Sequence, residues 1–122
     1  MKDIKQVIVI RKDLKMRRGK EIAQGSHASM AFLTNRLKTT PEFSTEEWEW
    51  INGSFKKVCL QVDSEMDLLL IEKRAREAGL EVNLIQDSGL TEFNGVPTYT
   101  CLAIGPDYSE KIDKITMELK LY

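Results

Sequence analysis

Lys20, Gln24 and His27 are separated by four and three residues, a spacing that lines their side chains along one stripe of a helix. An ammonium, a carboxamide and an imidazole on a shared surface are groups that stabilise developing negative charge and move protons. Further along the chain, Asp87, Thr91 and Thr100 supply a carboxylate and two hydroxyls. The six residues make one constellation only if a late loop and a late strand reach the rim where the early helix begins. Each also has a structural reading. Asp87 suits an Asx turn, His27 a packed histidine, Lys20 and Gln24 a solvated helix face, and the threonines a strand.

Several standard alternatives fail on motif grounds. The chain has no GxGxxG, no GxxxxGK followed by Ser or Thr, no HExxH and no GxSxG elbow, which argues against dinucleotide, P-loop, zincin and α/β-hydrolase chemistry. Two cysteines and a single histidine cannot build the usual Cys/His zinc frameworks. No metal and no cofactor is expected. Cys59 and Cys101 stand in apolar, strand-like contexts and are expected as buried core thiols.

The elements that must position these residues can be read from periodicity. QVIVIR over residues 6–11 is a nearly continuous β-branched run that suits a central strand. KDLKMRRGK follows as an exposed connection, with Gly19 as a turn. Residues 20–38 lack proline and repeat apolar groups at Ile22, Met30, Leu33 and Leu37, which predicts a helix burying that face. Small side chains in its first half, Gly25 included, allow close approach of another backbone or a ligand. A short helix falls within residues 41–53, opened by a Ser/Thr-then-Glu start and carrying Trp48 and Trp50 at the core edge. Strands are expected at 57–62, 81–86 and 98–105, helices at 65–78 and 109–121, and a loop at 87–97. This order predicts a single α/β domain over residues 1–122, its four-stranded mixed sheet sandwiched between helices. Ligands of such sheets bind beyond the carboxyl ends of parallel strands. If the third strand runs parallel to the first, Asp87 and Thr91 arrive beside Lys20, Gln24 and His27.

At 122 residues the chain fits one domain. Its longest apolar runs are four residues, such as 7–10, too short for a membrane span, and the start MKDIKQ lacks the pattern of a secretory signal. A cytoplasmic protein is expected. Net charge is only -1 but unevenly spread. Lys5, Arg11, Lys12, Lys15, Arg17, Arg18 and Lys20 face one acid, Asp13, while the rest of the chain holds 11 of the 18 basic and 18 of the 19 acidic residues. A basic cluster beside an acidic body fits either a solvated loop or contact with a phosphate backbone.

The segment QVIVIRKDLKMRRGKEIAQGSHAS resembles the N-terminal signature of the type 2 peptidyl-tRNA hydrolases. LEVNLIQDSGLTE, TYTCLAIGP and ELKLY resemble later stretches of that family in the same order. The resemblance implies a four-stranded α/β domain, often a homodimer, that hydrolyses the ester joining a peptide to tRNA without a metal. It assigns the active-site lysine to Lys20, the glutamine to Gln24, the Ser-His pair to Ser26 and His27, and the acid, with the threonine four residues on, to Asp87 and Thr91. It further assigns the strand threonine to Thr100 and the earlier lysine of the basic loop to Lys15. Asp87, steadied by Thr91, would orient or deprotonate water, with His27 as the alternative base. Lys12, Lys15, Arg17 and Arg18 would hold acceptor-arm phosphates. Three departures stand out: Ser88 where alanine is usual, Leu90 where a basic residue is common, and a 91–100 loop one residue longer. The altered loop keeps two other readings open, a non-catalytic tRNA- or protein-binding module and a deacylase of other aminoacyl-tRNAs.

Overall fold

A computed structural model describes residues 3–122. The strands are β1 (Ile4–Arg11), β2 (Lys57–Val62), β3 (Val82–Asp87) and β4 (Thr98–Tyr108), and the helices α1 (Arg18–Lys38), α2 (Thr45–Asn52), α3 (Glu65–Glu77) and α4 (Ser109–Thr116). They form one α/β domain around a mixed sheet of order β2-β1-β4-β3. β1 and β2 are parallel, while β4 runs antiparallel to both β1 and β3. β3 therefore points the same way as β1 although the two do not touch, and their carboxyl ends share one rim.

Alternation along the strands separates two cores. Val7, Val9, Leu60, Leu102 and Ile104 pack against Leu68, Ile71 and Ala75 of α3 and Ile112 of α4. On the opposite face Ile8, Ile10, Cys101 and Ala103 meet Ala28 of α1, and Ile4 meets Phe32 and Trp50. Each fully buried large apolar side chain contributes about 1.5–3 kcal/mol. At the junction of α1, α2 and β3, the Arg36 guanidinium spans both Glu47 oxygens at 2.8 Å and reaches Glu81 at 2.7 Å. Burial pushes the Glu47 carboxyl up, but Arg36 and the Ser44 N–H outweigh it and hold it below its ordinary value. Ser44 and Glu47 complete a capping box at the start of α2.

Several expectations are corrected. Helix α1 buries Gln24, Ala28 and Phe32, whereas Ile22, Met30 and Leu37 are more than half exposed. The small groups beside Gln24 and Ala28 let the helix lie close to the sheet, with the Cβ position of Gly25 3.9 Å from Ile10 Cδ1. The longer apolar side chains are left to the side. Gly19 lies within the first turn of α1 rather than forming a turn before it. The basic connection is not wholly exposed, since Met16 is buried in the α1-side core. Trp50 is buried, but Trp48 is half exposed. Cys101 is a core thiol as expected, but Cys59 is exposed, because α1 does not extend over β2. Helix α4 ends at Thr116, not near 121. Residues 120–122 then pair with the outer edge of β2 through Gln61 N–H to Lys120 O and Tyr122 N–H to Cys59 O, both 3.0 Å.

Candidate active site

At the shared rim, Lys20 emerges from the first turn of α1 and Gln24 one turn later, its side chain lying against β4. Lys20 Nζ donates to Asp87 Oδ1 at 2.8 Å and to Thr91 Oγ1 at 2.6 Å. Gln24 Nε2 donates to the same Asp87 oxygen at 3.3 Å, and the Gly89 N–H donates to Asp87 Oδ2 at 2.9 Å. Thr100 Oγ1 donates to Gln24 Oε1 at 2.5 Å, and the Cys101 thiol donates to the Gln24 carbonyl at 3.3 Å. Five of the six residues expected to do chemistry thus form one continuous chain: Thr100, Gln24, Asp87, Lys20, Thr91. Thr91 contacts the ammonium, not the carboxylate it was expected to steady.

Thr100 reaches this chain through a β-bulge. Ile85 pairs with Cys101 and Gln86 with Tyr99, so β4 holds one extra residue between the two pairs, Thr100 itself. Under strict alternation Thr100 would join Leu102 and Ile104 on the α3 side. The bulge turns it towards α1, a common use of bulges beside functional sites.

Electrostatics follow from the contacts. The Lys20 ammonium beside Asp87 holds that carboxyl below its ordinary value; burial opposes this, while the Gly89 N–H and the charge of His27 add to the lowering. Both side chains of the ion pair are largely withdrawn from solvent, at 15% and 10% exposure, so the pair is weakly screened. His27 is exposed and acts on Asp87 through its charge. Burial pushes the Cys101 thiol up to about 11, which makes it a structural donor rather than a nucleophile.

The remaining expected residues do not join the cluster. Ser26 donates to the Ile22 carbonyl at 2.8 Å and lines a groove on the other side of α1. Arg17 is exposed, 3.9 Å from Glu92. Arg18 lines the same groove as Ser26, Lys15 is exposed in a left-handed turn, and Lys12 borders a second cavity against α3. The basic segment therefore fans out around the rim. Sequence reasoning missed the Gly89 amide, although Asp-Ser-Gly at 87–89 is the signal of a turn in which a carboxylate caps an N–H two residues on. Among the described residues, no three His, Cys, Asp or Glu side chains converge to hold a metal ion.

One rim of a mixed four-stranded sheet thus joins a lysine, a glutamine, an aspartate and two threonines, and the chain belongs to the peptidyl-tRNA hydrolase PTH2 family, which it matches over residues 4–122. Among its relatives, a peptidyl-tRNA hydrolase of Methanothermobacter thermautotrophicus is 48% identical over 97% of this chain and 99% of its own. Those of Methanocaldococcus jannaschii and Nanoarchaeum equitans are 44% and 43% identical, over 97% and 98% of this chain and 99% of theirs. A solved protein of unknown function from Agrobacterium, Atu0240, shares the fold with a TM-score of 0.64 at 14% identity, over 100% of this chain and 99% of its own.

Proposed function

We propose that this protein hydrolyses peptidyl-tRNA, releasing the peptide by attack of water on the ester carbonyl. The observation that carries the reading is the Thr100–Gln24–Asp87–Lys20–Thr91 chain of hydrogen bonds, standing at the sheet rim in a chain of this family. Asp87 orients the water, and Lys20, aided by the Gln24 amide, stabilises the oxyanion that forms as water adds. The ribose oxygen then leaves as an alcohol, taking up the proton that the water gave to a general base. The Asp87 carboxylate accepts from Lys20, Gln24 and the Gly89 N–H, and His27 is the alternative group for the proton transfer itself. Turnover of a defined peptidyl-tRNA by Asp87→Asn and His27→Ala separates the roles, since loss of a general base costs about 10²–10⁴ in rate. Both variants near wild type would sink the site assignment. A chelator control tests the expectation that no metal takes part, and aminoacyl-tRNA beside peptidyl-tRNA tests the deacylase alternative.

Acceptor-arm phosphates are met by Lys15, exposed in its left-handed turn, and by Arg17, 91% exposed and only 3.9 Å from Glu92 at its closest acid contact. Such work belongs where translation runs, in the cytoplasm; no helix among the described residues is long and apolar enough to cross a membrane.

The finer reading of assembly is a homodimer formed over the α1–β2 groove. This opening of about 580 Å³ is lined by Ile8, Ile10, Ile22, Met30 and Phe55. Glu21 Oε2 lies buried at its wall without a hydrogen-bond partner, and Arg18 lines the same groove. A two-fold contact presents each copy's cation to the other's carboxylate. Sedimentation should give a dimer that Met30→Glu converts to monomer; a wild-type monomer at all concentrations overturns it.

A further inference from the structure

We infer that Phe93 is a positioning residue for this reaction, a wedge that holds Thr91 against Lys20; the inference rests on the hydrolase reading above. Phe93 and Asn94 have φ values of 64° and 52°, two consecutive non-glycine residues in the left-handed region. Asparagine visits that region readily, but for a bulky phenylalanine it costs on the order of 1–3 kcal/mol and persists only where surroundings impose it. The surroundings here are specific. The Phe93 ring packs on the core formed by Ile8, Ile10, Met16, Ala28 and Cys101, beside Leu14 and Ile85. Leu14 and Met16 of the basic connection belong to the same cluster, so the loop and the segment that carries Lys15 and Arg17 share one core.

The rest of the loop makes the wedge effective. Gly89, at φ 83°, has no room for a side chain, because an added Cβ would lie 2.3 Å from the Val96 carbonyl. Gly95 N–H donates to Gly89 O and Val96 N–H to Phe93 O, both at 2.9 Å. The loop is thus closed at its neck and anchored at one ring, and between these points Thr91 Oγ1 accepts from Lys20 Nζ at 2.6 Å. Thr91 itself is exposed. Besides this hydrogen bond, the ring is the apolar anchor of the segment that carries the hydroxyl, whose other ties are the neck at Gly89 and the 3.9 Å contact of Glu92 with the exposed Arg17.

The test separates the ring from the backbone conformation. Phe93→Gly adopts a positive φ without strain but has no ring, whereas Phe93→Leu keeps an apolar wedge. With peptidyl-tRNA as substrate, Phe93→Gly and Phe93→Ala should lose tenfold to a hundredfold in kcat with KM changed by less than about threefold, as misplacing one catalytic group by an ångström does. Phe93→Leu should restore most of the rate. In a Thr91→Val background, Phe93→Gly should have little further effect, because both changes disable one contact. Wild-type kcat in Phe93→Gly, or additive losses in the double variant, overturns the proposal. If the wild type releases no peptide, the functional reading fails, and the wedge is then judged by NMR. In Phe93→Gly the Lys20 ammonium signal and the Gly95 amide should lose protection from exchange; retention of wild-type protection in a folded variant refutes it.

Discussion

Replacing Thr100 with valine keeps the shape of a side chain with no solvent exposure and removes only its hydroxyl. That hydroxyl is the donor to Gln24 Oε1, and Gln24 is itself 3% exposed. The variant leaves a buried amide oxygen without a partner, a loss of about 1–3 kcal/mol. Taking about 2 kcal/mol and roughly 3–6 °C per kcal/mol for a domain of this size, the melting temperature should fall by roughly 6–12 °C. The functional effect follows from the same amide. With its oxygen unpinned, the carboxamide turns, and its NH2 no longer faces Asp87 Oδ1, now 3.3 Å away. A loss of about tenfold in kcat is expected. Thr100→Ser keeps the donor and removes one methyl, so it should cost only about 1 kcal/mol and leave the rate within about threefold. Scanning calorimetry and single-turnover release of labelled peptide give both numbers. A Thr100→Val variant with wild-type melting temperature and rate would show that Thr100 does not hold the Gln24 amide.

The Lys20–Asp87 pair predicts a particular pH dependence of stability. Because the folded carboxyl titrates below its ordinary value of 3.8, its contribution is complete above that value and is lost as pH falls through the lower folded one. Urea unfolding should therefore show a gap between wild type and Asp87→Asn that is constant from pH 5 to 8 and shrinks below about 4; a gap that closes between pH 6 and 7 contradicts it. Substituting Lys15 and Arg17 together by alanine should weaken tRNA binding and lower the slope of log affinity against log salt by about 2, leaving kcat near wild type. An unchanged slope removes both from the phosphate path. In dilute protein at pH 8, a thiol reagent should modify Cys59 and spare Cys101, whose thiol burial pushes up to about 11; reaction at both sites without unfolding contradicts the core placement.

Element order was legible because it rests on local signals. The β-branched run of β1, the capping box of α2 and the Asp-Ser-Gly turn all reflect interactions within a few residues. What sequence could not give was the orientation of each element. The apolar stripe of α1 predicted the wrong buried face because the helix seats its small residues on the sheet, with Gln24 held inside by Thr100 and Cys101. Nor does composition say which strand a helix leaves bare, so Cys59 was expected inside. The partner of Thr91 depended on a loop whose left-handed residues, Phe93 and Asn94, carry no glycine to announce them. The end of α4 was misplaced because residues 120–122 gain more from pairing with the edge of β2 than from extending a polar helix.

The extra residue in β4 also decouples two lengths that would otherwise be tied together. From Cys101 to Ile104 the strand keeps phase with β1, its side chains shared between the two cores, while from Tyr99 back it keeps phase with the end of β3. A residue gained or lost in the hairpin can be absorbed at this joint without sending Leu102 and Ile104 to the wrong face. Variation in loop length thus falls on the placement of one hydroxyl, leaving the interior untouched, and the catalytic rim can be retuned without refolding the domain.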